Sequence, residues 1–166
     1  DRFDCIVSFE TLEHLHGHEE LLAGFRRVLR PNGFLLISTP DKAVYTDKMG
    51  NQNEFHVSEL YRNEFEGLLA RHFSAVRLWG QKLAFHSAIW SLESGTGTVF
   101  HREEGDGCHD SPRPPQDAVY LLALCAASAN DLPAVPALSL FDDAGESVYT
   151  HYHEEIRRNM AAGGVI

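Results

Sequence analysis

Apolar residues fall into runs and helical stripes along the chain. Phe3-Asp4-Cys5-Ile6-Val7-Ser8-Phe9 is a short run rich in β-branched residues and without regular alternation. Such a run predicts a parallel strand buried on both faces. Glu10 to Gly17 reads as a turn or short helix with Leu12 and Leu15 as its apolar contacts. Glu19 to Leu29 follows with Leu21, Leu22, Phe25, Val28 and Leu29 at helical spacing. Its acids come first and Arg26, Arg27 and Arg30 last, the favourable order for a helix dipole. Pro31-Asn32-Gly33 is read as its stop, and Phe34 to Thr39 as a second buried strand ended by Pro40. A strand, a helix and a strand in so short a stretch imply parallel strands joined by a right-handed crossover. The class is α/β.

Beyond Pro40 the pattern loosens. Asp41 to Phe55 is polar and irregular and predicts a long loop at the end of the second strand, the edge where open α/β sheets bind ligands. Ser58 to Phe73 predicts a helix with Ser58 as N-cap and Leu60, Phe65, Leu68, Leu69 and Phe73 as its stripe. Ala75 to Gln81 predicts a third strand, and Lys82 to Trp90 is ambiguous. Leu92 to Pro115 carries Gly95, Gly97, Gly105, Gly107 and three prolines, and reads as a loop or partly ordered insertion. Asp117 to Ser128 predicts a strand, with helix as the competing assignment. Pro133 to Phe141 predicts a linker and a short strand, Glu154 to Met160 a weak helix, and Gly163-Gly164 a frayed end.

Composition narrows the class. The 166 residues are 43% hydrophobic and 23% charged, an ordinary globular balance and enough chain for a real core. A net charge of −10 disfavours non-specific binding to nucleic acid or to an anionic membrane. The longest apolar run, Ala118 to Ala129, falls well short of the roughly 20 residues that span a bilayer. The acidic start does not have the order of a signal peptide. Cys5, Cys108 and Cys125 are too scattered for a disulfide framework, and Cys5 and Cys125 read as small buried hydrophobes. These features fit a reducing, cytoplasmic setting. Opening at Asp1 directly into a strand reads as the start of a fragment.

Phe3-Asp4-Cys5-Ile6-Val7-Ser8 through Leu12-Glu13-His14-Leu15 resembles the fourth strand and following helix start of class I S-adenosylmethionine-dependent methyltransferases. Leu29-Arg30-Pro31-Asn32-Gly33-Phe34 to Ser38-Thr39-Pro40 resembles the family's turn and fifth strand. Asn53 to Phe65, with His56, resembles the loop and helix after it. The resemblance covers about the first half of the chain, and the order and spacing of the pieces carry it. It implies a partial Rossmann-like sheet of parallel strands with crossover helices and a late antiparallel strand. Residues 1–141 would be the C-terminal part of such a domain, with 92–116 a loop insertion and 142–166 a tail.

The resemblance further implies S-adenosylmethionine as cofactor and places Ser8, Phe9 and Glu10 beside its methionine and ribose part, mostly through their backbone. His14 and His56 would face the transfer site from two loops, either one able to act as base for a hydroxyl acceptor. The expected acceptor is a small molecule, an oxygen of a sugar or similar metabolite. Tyr120-Leu121-Leu122-Ala123-Leu124-Cys125 is similar to a late strand in proteins that fuse such a domain to glycosyltransferase domains, which hints at a sugar or cell-envelope substrate. The family's glycine-rich loop and ribose-binding acid find no counterpart in this chain. The isolated chain is therefore expected to be inactive or nearly so, with an exposed strand edge that invites self-association. A degenerate, non-catalytic interaction module is the alternative.

Other polar groups have plainer readings. Glu13 reads as a residue that caps or solvates the helix start. His14, His16 and His18 alternate, which does not suit ligands on one helix face, and read as a solvated turn. His101, Glu103, Asp106, Cys108, His109 and Asp110 are ligand-rich without zinc spacing and read as a hydrophilic insertion, with a metal-dependent hydrolase a weaker option. His151 and His153 with Glu154 and Glu155 read as solvent-facing. Trp79, Phe85 and Trp90 read as core or hinge packing. No metal is expected.

Overall fold

The computed structural model describes residues 2–84, 86–87, 89, 91–93, 97–105, 107–114, 117–141 and 145–161. The predicted positions Phe85, Trp90, Gly95, Asp106, Pro115 and Gly163-Gly164 lie outside them. The chain divides into two units, residues 1–133 and 134–166.

The first unit is built on a four-stranded sheet. Its strands are β1 (Phe3–Ser8), β2 (Leu29–Pro40), β3 (Ala75–Gln81) and β6 (Tyr120–Ala126), in the spatial order β1-β2-β6-β3. β1 and β2 are parallel, as the short strand–helix–strand spacing requires, and α1 (His18–Val28) makes the crossover. β6 runs antiparallel to both neighbours, Leu36 opposite Leu124 and Leu78 opposite Ala123. This is the partial Rossmann-like sheet with a late antiparallel strand, and it settles Asp117 to Ser128 as strand rather than helix.

Leu35 and Ile37 of β2 and Leu121, Ala123 and Cys125 of β6 project from one face, two residues apart, as pleated strands dictate. Leu22 of α1 and Phe65, Leu68 and Leu69 of α2 (Arg62–His72) close over them. Phe34, Leu36 and Leu122 point the other way and remain half-buried.

Several expectations are corrected. β1 is an edge strand rather than one buried on both faces: Phe3 is 53% exposed and Val7 57%. Its apolar run reflects membership of a parallel sheet, but among the described residues only one of its edges is paired. Cys5 is accordingly exposed, while Cys125 is buried in the sheet centre. Pro31-Asn32-Gly33 lies inside β2 as an irregularity: Leu29 opposes Phe3 and Phe34 opposes Cys5. Gly33 suits this close approach, because a Cβ there would stand 3.0 Å from the carbonyl oxygens of Phe3 and Asp4 and the strands would have to give by a few tenths of an ångström.

α2 starts at Arg62 rather than at Ser58. Glu64 reaches back to accept the Tyr61 amide at 3.0 Å, which fixes the helix start one turn later. Part of the expected loop after β2 is a π-helical turn, Ala43–Lys48. The expected insertion contains a hairpin, β4 (Phe100–Glu104) and β5 (Gly107–Ser111), with Gly105 at φ +61° in the intervening turn. His18 is not solvated: it opens α1 in a buried position.

Among the described residues no strand forms at Pro133 to Phe141, where the units meet along the chain and Pro133 and Pro136 lack the amide donors of a ladder. α3 (Ser147–Ala161) is longer than the sequence predicted, and Arg158 pairs with Glu154 and Glu155 along it. Among the described residues no helix is long and apolar enough to cross a membrane.

Candidate functional site

The sheet's register collects one end of four strands. β1 stops at Ser8 and β2 at Pro40, while antiparallel β6 begins at Tyr120, opposite both Pro40 and Gln81 of β3. The polar residues of interest lie along this carboxyl edge of β1 and β2.

The chain leaves β1 through Glu10, whose φ of +49° is in the left-handed region that few non-glycine residues adopt. Ser38 holds it there. The Ser38 hydroxyl accepts the Glu10 amide at 3.2 Å and donates to its Oε1 at 2.6 Å. Burial pushes the Glu10 carboxyl above its ordinary value; the Ser38 hydrogen bond opposes that, and nearby Glu13 reinforces it. Ser8 is buried, Phe9 is 48% exposed, and the Phe9 carbonyl accepts the Thr11 hydroxyl. The Phe9 carbonyl and the Glu10 amide are therefore already partnered within the chain.

Two residues on, the turn Leu12–His14 buries Glu13, which is 1% exposed. Its carbonyl accepts the amides of Val57 and Ser58, tying this turn to the loop that carries His56. The Thr39 hydroxyl donates to Glu13 Oε2 at 3.3 Å, whereas buried Oε1 has no hydrogen-bond partner. Glu13 is thus a buried group of the site, not a solvated cap.

The two histidines meet. Their ring centroids are 5.0 Å apart, edge to face. His14 Nδ1 lies 2.8 Å from the Phe55 carbonyl, which can only accept, so Nδ1 carries the hydrogen. His56 Nδ1 lies 2.5 Å from Glu59 Oε1, while the Thr46 hydroxyl donates to Glu59 Oε2. The carboxylate accepts on both oxygens, so His56 Nδ1 is a donor too. In its neutral form each ring keeps Nε2 as its lone-pair nitrogen. Tyr45 packs against His56 at 5.4 Å and against Tyr120 at 6.0 Å between centroids, closing one side. Burial raises the Tyr120 hydroxyl pKa, with Glu10 adding to the effect.

The structure therefore brings Glu10, His14 and His56 to one edge, with Ser8 and Phe9 at the end of β1. The sequence reading passed over Ser38, Tyr45, Glu59 and Tyr120. Only Glu59 left a local signal, three residues after His56 at the spacing of neighbours on a helical turn. The others arrive from elements distant in the chain.

Residues 1–78 match the family model described as a methyltransferase domain. A probable S-adenosylmethionine-dependent methyltransferase of Mycolicibacterium smegmatis is 36% identical over 67 residues, which are 40% of this chain and 26% of that protein. A probable S-adenosylmethionine-dependent methyltransferase of Mycobacterium tuberculosis is 34% identical over 67 residues, 40% of this chain and 24% of that protein. The match thus spans about a quarter of the length of these relatives.

Proposed function

We propose that this chain, whose residues 1–78 match a methyltransferase domain, is part of a class I S-adenosylmethionine-dependent methyltransferase and serves methyl transfer to an oxygen of a small-molecule acceptor such as a sugar. The observation that carries the reading is the meeting of the Glu10 turn and the His14–His56 pair on the carboxyl edge of a sheet of that family. S-adenosylmethionine supplies a methyl group on a sulfonium, activated for in-line displacement.

The chain's residues fit one wall of such a site. Phe9 offers an exposed apolar ring, and Glu10 offers a carboxylate held at the rim by Ser38, of the sign that suits a cationic cofactor. Contact through the backbone of Phe9 and Glu10 is less favoured than the sequence suggested, since Thr11 and Ser38 already engage it. His14 and His56 present lone-pair nitrogens that can take the acceptor's proton. Among the described residues no segment supplies the second wall, so the chain by itself is expected to bind cofactor weakly and to turn over little or not at all.

Titration calorimetry with S-adenosylhomocysteine tests this on the present chain and on one extended upstream in its own reading frame. Binding to the extended chain, weakened by Glu10→Ala, is the expected result. An extended chain that binds nothing overturns the enzyme reading and leaves the non-catalytic module. A fused glycosyltransferase domain belongs to the same proposal, and the extended reading frame would show it.

A further inference from the structure

We infer that Glu13, His14 and His56 form a binding site for a divalent first-row transition-metal ion. One ligand atom from each of the three lies within 4.8 Å of the other two. Glu13 Oε1 is 3.7 Å from His14 Nε2. Two ligands of a tetrahedral ion with bonds near 2.1 Å stand about 3.4 Å apart, so small side-chain movements close the set.

Three independent features point to an ion rather than to chance proximity. Glu13 is 1% exposed, yet its Oε1 has no hydrogen-bond partner, a costly arrangement for a buried carboxylate oxygen. That oxygen is the one facing the lone-pair nitrogen of His14. Each histidine also donates its other nitrogen to a fixed acceptor, His14 to the Phe55 carbonyl and His56 to Glu59. A carbonyl or carboxylate on the far side of the ring is the usual support of a metal-bound imidazole, because it sets the tautomer and raises ligand basicity. Thr46 in turn holds Glu59, and Thr39 holds the second oxygen of Glu13.

Two imidazoles and a carboxylate select a transition metal over calcium or magnesium, which take oxygen-rich sets. Three protein ligands leave a position open, as in catalytic rather than structural sites. The role of that position rests on the methyl-transfer reading, whereas the binding itself does not. With both Nε2 lone pairs given to the ion the histidines no longer act as base, and an acceptor hydroxyl coordinated there would be acidified and would lose its proton to solvent water instead. Its oxygen then bonds to the methyl carbon as the sulfur–methyl bond breaks, and S-adenosylhomocysteine leaves.

The test uses Co2+ as probe on chelator-treated full chain, with neither cofactor nor acceptor present. All proteins carry Cys108→Ser, which removes the thiol from the exposed His101, Cys108 and Asp110 group. The expected result is the visible d–d absorption of inner-sphere Co2+, saturating at one ion per chain. It should be abolished by Glu13→Gln and, because Glu13 is buried, independently by His14→Gln at a more exposed position. Glu59→Gln, which touches no ion, should weaken binding about 10- to 100-fold. Absent absorption, or absorption that survives His14→Gln, overturns the site. Either result leaves methyl transfer standing, since that reading is tested by cofactor titration.

Discussion

At the scale of the residue, the site is a set of groups whose state is set by their immediate neighbours. Burial raises the Glu10 carboxyl above its ordinary 4.5. Its protonated form is therefore favoured in the fold, and the native state holds more protons than the unfolded chain between 4.5 and the folded value. Glu10 contributes this stability fully below about 4.5 and loses it as pH rises through the folded value. Denaturant midpoints of the wild-type chain should thus fall relative to those of Glu10→Gln as pH rises through that window. Parallel profiles would contradict the burial of this carboxyl.

Cys125 makes a second residue-level case. Burial in the sheet pushes its thiol up to about 12, so almost no thiolate exists at neutral pH. Thiol reagents should modify exposed Cys5 and Cys108 in the native chain and reach Cys125 only after unfolding, as mass spectrometry of alkylated peptides would show. Native labelling of Cys125 at comparable rate would be inconsistent with its place in the core. The sequence made both Cys5 and Cys125 buried hydrophobes, since both sit in apolar runs. Only sheet order separates an edge position from a central one.

At the scale of the element, most of the architecture was legible. Ala75 to Gln81 forms the strand its pattern predicts, and the apolar stripe of the second helix is the stripe that packs. Phe65 is fully buried between that helix and the sheet. Phe65→Ala should cost about 3–5 kcal/mol, measurable as a lowered urea midpoint. A loss well under that would mean that α2 does not depend on this contact. Element ends were less legible, for a physical reason. The start of α2 depends on Glu64 folding back onto the Tyr61 amide, three residues beyond Ser58. The β4–β5 hairpin was hidden because its strands are polar and exposed, so no apolar alternation announces them.

At the scale of the whole molecule, the exposed strand is the main consequence. Among the described residues no strand pairs the outer edge of β1, and Phe3 and Val7 are exposed. Such an edge is a template for another copy of the chain. Light scattering of the 166-residue chain at high concentration should show association, reduced by Val7→Lys. A wild-type chain that stays monomeric would refute it. The same edge bounds the carboxyl-side site, because β1 is the outermost strand among the described residues on the side of Ser8 to Glu10.

The sequence by itself determined the α/β class and the parallel β1–β2 pair, because strand period, helical spacing and turn residues are local properties. It also pointed to His14, His56 and Glu10 through the resemblance they carry. Tertiary structure decided the rest. It made β1 an edge, buried Glu13 without a partner for Oε1, and set Ser38 against Glu10 across 28 residues of chain. It also turned both imidazoles so that their lone pairs remain available, through the Phe55 carbonyl and Glu59. Those outcomes depend on which segments the register of the sheet brings together, and no local pattern along the chain records that.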